Sequence, residues 1–191
     1  MLTLPADPAL ATHLARLVGA APPRAGGRRV LALEGRSGSG KSHVAALLAD
    51  RLGWPVIHMD DLYPGWDGLD AGVALARAWV IAPLLRGAEP RWRRYDWSAG
   101  EFREWHHTPV RDTLVVEGCG SGARELRPHL SLLAWIEAPA PVRAARLDLR
   151  DDAVAYAPHR RAWAEREFRF HTRNGLPAAA DLRIDNPDPA P

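Results

Sequence analysis

"VLALEGRSGSGKSHVAALLADRL", residues 30–52, decides the fold. The run VLALE is short, apolar up to its last residue and followed at once by glycine, the pattern of a strand buried on both faces. Residues 41–52 then read as a helix. Between the two, Gly35 to Ser42 fits G-x-x-x-x-G-K-[ST] at every fixed position, in the strand-loop-helix setting that the pattern requires. The loop contains the only lysine among the chain's 25 lysine and arginine residues.

The residue types follow from anion binding. Backbone N–H groups converge on phosphate oxygens only where glycines allow positive φ and put no Cβ in the ligand's space, as Gly35, Gly38 and Gly40 can. The helix that opens near Lys41 adds the positive end of its dipole. Gly35, Arg36, Ser37, Gly38, Ser39, Gly40, Lys41, Ser42 and His43 are thus the expected nucleotide cradle. Within it, Lys41 reaches the β- and γ-phosphates of ATP, and Ser42 offers its hydroxyl to Mg²⁺. A compact ammonium suits this position better than a planar guanidinium, which accounts for a lysine in a chain that otherwise uses arginine.

Outward from the loop, the apolar pattern repeats at 56–60, 113–118, 132–137 and, more briefly, 181–185. Helix-compatible stretches occupy 70–82, 122–130, 140–152 and 159–172, with a further helix at 7–20 before the linker APPRAGGRR. Alternating strands and helices predict an α/β three-layer sandwich with a sheet of about five parallel strands, helices on both faces and a small lid. One domain is expected over 1–191: helix and linker to 28, core over 29–186, and a proline-rich tail from 187.

In such sheets ligands gather at the carboxyl ends of the strands. Asp60 and Asp61 end one strand there, and a carboxylate at that place can take the proton of an attacking hydroxyl. Glu117 ends another, in position to hold Mg²⁺. Cys119, in the same loop, reads as a small buried residue.

At 191 residues and 47% hydrophobic, the chain suits one globular core. A net charge of +2 with arginines scattered among acids indicates no nucleic-acid-binding tail. One cysteine excludes an intramolecular disulfide, as expected in a reducing compartment. No leader pattern and no run of about 18 apolar residues appear, so a cytoplasmic protein without a membrane partner is expected. A homo-oligomer is compatible with all of this.

These residues together resemble the uridine kinase-like branch of the P-loop nucleoside and nucleotide kinases. The resemblance rests on GRSGSGKS, on HMDDLY against the family's M-D-x-[FL]-Y, on RRYDW against its Y-D-[FW], and on VVEG. It extends more loosely to RAARLDLRDD as an arginine-rich helix leading into a lid. It implies ATP and Mg²⁺ as cofactors and a small-molecule hydroxyl as acceptor. Asp60 takes the general-base position, with Asp61 and Tyr63 on the substrate side and Tyr95 and Asp96 in the nucleoside-binding segment. Arg146 and Arg150 close over the phosphates, Arg150 beside the transferring group. Alternatives stay open at several points. RWRRYDW also fits an aromatic hairpin packed on the sheet, the arginines fit a solvated helix face, and the whole chain fits a nucleoside monophosphate kinase or a nucleotide-dependent switch ATPase.

Overall fold

The computed structural model describes residues 1–7 and 9–187; most of the proline-rich tail expected from 187 lies outside the described residues. Six strands form one fully parallel sheet: β1 (Leu2–Pro5), β2 (Arg29–Glu34), β3 (Val56–His58), β6 (Thr113–Glu117), β7 (Leu132–Glu137) and β8 (Leu182–Asp185). Their order is β1-β8-β7-β2-β6-β3. The two remaining strands, β4 (Arg91–Asp96) and β5 (Glu101–His107), make a separate antiparallel hairpin.

The sheet's period of two divides the core cleanly. On β2, Val30 and Ala32 face one apolar cluster while Leu31 and Leu33 face the other. Leu114, Val116, Leu133 and Trp135 join the first, and Val115, Ala134 and Ile136 join the second. Helices α1 (Leu10–Ala20) and α2 (Lys41–Leu52) cover the second face with Leu10, Leu14, Val18, Val44 and Leu48. Helices α3 (Leu69–Leu75) and α7 (Arg160–Asn174) cover the first through Leu69, Val73, Trp163 and Phe170. Each fully buried aliphatic side chain contributes about 1.5–3 kcal/mol, so every central strand is fastened from both sides.

Three elements differ from the sequence reading. The sheet has a sixth strand, because Leu2–Pro5 pairs with β8 at the sheet edge; four residues are too few to show a period by themselves. The helix expected at 122–130 is a set of turns ending in the short 3₁₀ segment Arg127–His129. There the Gly122 N–H is committed to the Glu34 carboxylate instead of to a helix ladder, and Pro128 has no N–H to give. The helix expected at 70–82 is interrupted by a π segment, Ala76–Ile81, before α4 (Ala82–Leu85), where Pro83 cannot donate to the ladder. Past β7, α5 (Ala140–Asp148) and α6 (Ala153–Tyr156) lead into α7. No helix among the described residues is long and apolar enough to cross a membrane.

Candidate active site

The carboxyl ends of β2, β3 and β6 meet around the glycine loop, and α7 closes the other side. Gly35, Gly38 and Gly40 have φ of +150°, +79° and +94°, values that L side chains rarely adopt. A Cβ on Gly38 would lie 2.5 Å from the Arg143 carbonyl oxygen, so the loop is packed tightly against α5 as well as strained. Lys41 Nζ arches over the loop and donates to the carbonyls of Gly35 (2.8 Å) and Arg36 (3.2 Å). Ser39 Oγ is buried without a partner among the described residues, a hydroxyl left inside the cradle.

Sheet register assembles the acids. His58 on β3 pairs with Glu117 on β6, so both side chains emerge on the same face of neighbouring strands. His58 Nδ1 lies 2.5 Å from Glu117 Oε1, and Ser42 Oγ donates to that same oxygen at 3.0 Å. Burial pushes the Glu117 carboxyl up, but His58, Lys41 and Ser42 outweigh it and hold the group below its ordinary value. Its bond to Glu117 raises the His58 imidazole. The Ser42 hydroxyl beside an ionised Glu117 is a hard oxygen pair at the mouth of an anion cradle, and it fits Mg²⁺.

Asp60 follows β3 in a single 3₁₀ turn, Met59–Asp61. Its carboxylate accepts no hydrogen bond from any described residue and lines the cleft together with Lys41 and Glu117. The side chain stays open to water on the cleft side, yet it sits low in a concave wall dense with protein atoms. That desolvation, reinforced by Glu117 and opposed by Lys41, Arg150 and His58, pushes its pKa up to about 6. Asp61 lies outside the cleft lining, and burial raises its carboxyl against the pull of His58, Arg94 and His106.

The cleft, about 500 Å³, is lined at its far end by Tyr63, Trp66, Trp97, Tyr156 and Trp163. Tyr63 lends its ring to this wall, but its hydroxyl donates to the Cys119 carbonyl and is not available to a ligand. RRYDW lies on the hairpin. Tyr95 packs edge-on against Trp97 and Phe102, and Asp96 accepts from the N–H groups of Ser98 and Ala99 (2.9 Å each) and from Arg103 Nε (3.2 Å). Neither lines the cleft; Trp97, the next residue, does, and its indole N–H donates to the Asp60 carbonyl at 3.1 Å.

The arginines divide by position. Arg143 lies against the outer side of the loop and donates to Ser37 O (3.3 Å), whereas Arg146 lines the cleft and donates to Gly38 O (3.3 Å) and Ser39 O (3.2 Å). Asn186, just past β8, bonds both Ser39 O (3.0 Å) and Arg146. Arg150 reaches the cleft beyond the end of α5, held by two 2.8 Å bonds to Asp152. His43, Ser37, Gly38, Gly40, Lys41 and Ser42 line the cleft with it, whereas Arg36 lies on a separate shallow depression near Arg183.

Three residues that sequence reading passed over hold the loop in place. Glu34, fully buried, accepts from the N–H groups of Gly35 (2.9 Å), Gly120 (2.8 Å) and Gly122 (3.0 Å), tying the glycine loop to the loop after β6. His171 Nε2 lies 3.3 Å from Glu34 and 3.4 Å from Cys119 Sγ. The three side chains bring their ligand atoms within 4.8 Å of one another. Because backbone N–H groups already engage both Glu34 oxygens, the cluster reads as a buried hydrogen-bond network. Burial pushes the Cys119 thiol well up, away from nucleophilic use. Glu167 on α7 accepts from Ser37 N (3.0 Å), Ser37 Oγ (2.6 Å) and Trp163 Nε1 (3.1 Å). An acid ending the apolar run VLALE, and the spacing Trp163, Glu167, Phe170, His171 on one helix face, were the available signals.

Glu34→Gln should lower stability by about 2–3 kcal/mol, because a charge-assisted acceptor is lost and an amide NH₂ is turned on backbone donors. A thermal melt followed by circular dichroism reads the effect, and an unchanged midpoint would refute the tethering role.

A parallel sheet with the glycine loop at its centre and acids at the neighbouring strand ends defines a P-loop α/β fold. A possible uridine kinase from Bacillus stearothermophilus superposes with a TM-score of 0.62 at 18% identity, covering 92% of this chain and 97% of that one. A candidate fructose transport system kinase from a Silicibacter species gives 0.56 at 20% identity, over 92% and 97%. Among curated proteins, cytidylate kinase of Pseudomonas aeruginosa is 31% identical over 99 residues, 51% of this chain and 43% of that protein. The chain thus spans less than half the length of the curated relatives it matches. No protein-family profile matches it.

Proposed function

We propose that the protein is an ATP-dependent kinase that transfers the γ-phosphoryl group to a hydroxyl of a small acceptor of nucleoside size. The observation that carries this reading is the unbonded Asp60 carboxylate in one cleft with Lys41, Ser42 and Glu117. With a pKa of about 6, Asp60 is ionised at neutral pH and still basic enough to take a proton.

In the reaction, the acceptor oxygen forms a bond to the γ-phosphorus as the bond to the β,γ-bridging oxygen breaks, and the hydroxyl proton passes to Asp60. Loop N–H groups and Lys41 hold the phosphates in line, so the protein's main contribution is position and charge. Arg150 stands at the cleft edge, where its charge faces Asp60 and the incoming phosphoryl group. Ser42 and Glu117 would hold Mg²⁺, which supplies charge neutralisation on the transferring group.

The similarity to cytidylate kinase favours a second reading, with a nucleoside monophosphate as acceptor. A phosphate acceptor needs cationic clamping beyond Asp60, and at that end Arg166 is engaged elsewhere, donating to the Trp66 carbonyl at 2.8 Å and to Asp67. Coupled ADP release measured with nucleosides, other hydroxyl compounds and nucleoside monophosphates separates the readings. A new phosphomonoester by ³¹P NMR is the expected result; turnover confined to monophosphates would replace the first reading by the second.

A further inference from the structure

We propose that the acceptor carries its hydroxyl on a neutral aromatic ring system with an apolar edge, recognised by stacking. The proposal rests on the hydroxyl-kinase reading of the same cleft. Beyond Asp60 the walls are five aromatic rings. Trp66 stands 4.5 Å from Trp97, 5.7 Å from Tyr156 and 6.1 Å from Trp163, centroid to centroid, and Tyr63 stands 5.2 Å from Trp163. One face of Trp66 is closed by His159, stacked at 4.4 Å, while Trp97 is 38% exposed and offers an open ring to the cleft.

What these rings lack is spare polarity. The Trp97 N–H is spent on the Asp60 carbonyl, the Trp163 N–H on Ser37 and Glu167, and the Tyr63 hydroxyl on Cys119. The Trp66 N–H and the Tyr156 hydroxyl are the groups on these rings without a hydrogen-bond partner among the described residues, and no asparagine, glutamine or threonine lines the cleft.

A site that reads a nucleobase needs donors and acceptors along the base edge, and it rejects analogues because its own polar groups would be left unpaired. This wall has two such groups, and its carboxylates are already engaged, Asp152 by Arg150 and Glu167 by Ser37 and Trp163. It rewards a flat ring and makes few demands on the ring's edge. A cationic ligand would also favour aromatic faces, but the Arg150 guanidinium already lies 5.6 Å from the Tyr156 ring centroid and would repel it.

The test titrates the full chain, with Mg²⁺ and a nonhydrolysable ATP analogue, with four probes: indole-3-ethanol, 2-cyclohexylethanol, ribitol and uridine. Calorimetry reads affinity without requiring turnover. Indole-3-ethanol is expected to bind at least about 10-fold tighter than its saturated counterpart and than ribitol, and Trp97→Ala to weaken it by about 5- to 100-fold. Trp97→Phe should restore most of the loss, and the affinity for the ATP analogue should stay the same in both variants. Equal or tighter binding of ribitol, no binding of any probe, or uridine preferred 10-fold with loss on N3-methylation would each overturn the proposal. Ring-dependent binding without phosphoryl transfer would instead overturn the kinase reading and leave stacking intact.

Discussion

On the proposed hydroxyl-kinase reading, Asp60→Asn is expected to lower turnover by about 10²- to 10⁴-fold, the range over which a positioned general base acts, while the affinity for ATP stays near that of the parent. The motive is the unbonded carboxylate beside the phosphate loop. In the parent, kcat is expected to fall as pH drops through about 6, because a protonated Asp60 could no longer accept the hydroxyl proton. The variant loses that acid limb. Stability moves the opposite way. The folded pKa is raised above the ordinary aspartate value, so the fold favours the neutral acid, and that contribution is lost as pH rises through about 6. The asparagine variant should therefore melt at least as high as the parent at pH 8. Full turnover in a well-folded Asp60→Asn protein would remove the hydroxyl-kinase mechanism.

Lys41→Arg is expected to lower turnover by about 10²- to 10³-fold, comparable with the loss of one preorganised donor to a developing anion. Lys41 Nζ reaches two loop carbonyls, Gly35 and Arg36, at 2.8 and 3.2 Å. A guanidinium is wider and planar, and it cannot thread between the loop backbone and the phosphates. The fold should survive, since Lys41 makes no other hydrogen bond among the described residues and lies at the start of α2. Steady-state kinetics alongside an unchanged melting curve is the check, and near-parental kcat would show that the lysine is a compositional accident.

Much of the fold was legible because its signals are local. Strands β2, β6 and β7 announce themselves as short apolar runs, and the glycine loop is specified residue by residue within eight positions. Lys41, Ser42, Asp60 and Glu117 could be placed at one sheet edge because a parallel sheet sends all its strand ends the same way. The edge strand Leu2–Pro5 and the turns over 122–130 could not be read, because their backbone partners are remote: β8 in one case, the Glu34 carboxylate in the other.

The acceptor side shows the same division more sharply. Tyr95 and Asp96 were marked by the RRYDW motif, yet the hairpin points its last aromatic residue, Trp97, into the cleft and spends Asp96 on its own turn. Glu34, Glu167 and His171 are ordinary polar letters in the sequence; burial and long-range hydrogen bonds, which depend on how α7 crosses the sheet, make them the struts of the loop. The sequence by itself thus determined the glycine loop proposed to cradle phosphate, since that chemistry would be carried by consecutive backbone N–H groups and one adjacent lysine. Only the tertiary structure decided the aromatic walls of the cleft beside it, because their rings come from residues 63 to 163 and meet only when the hairpin and α7 close over the carboxyl ends of the strands.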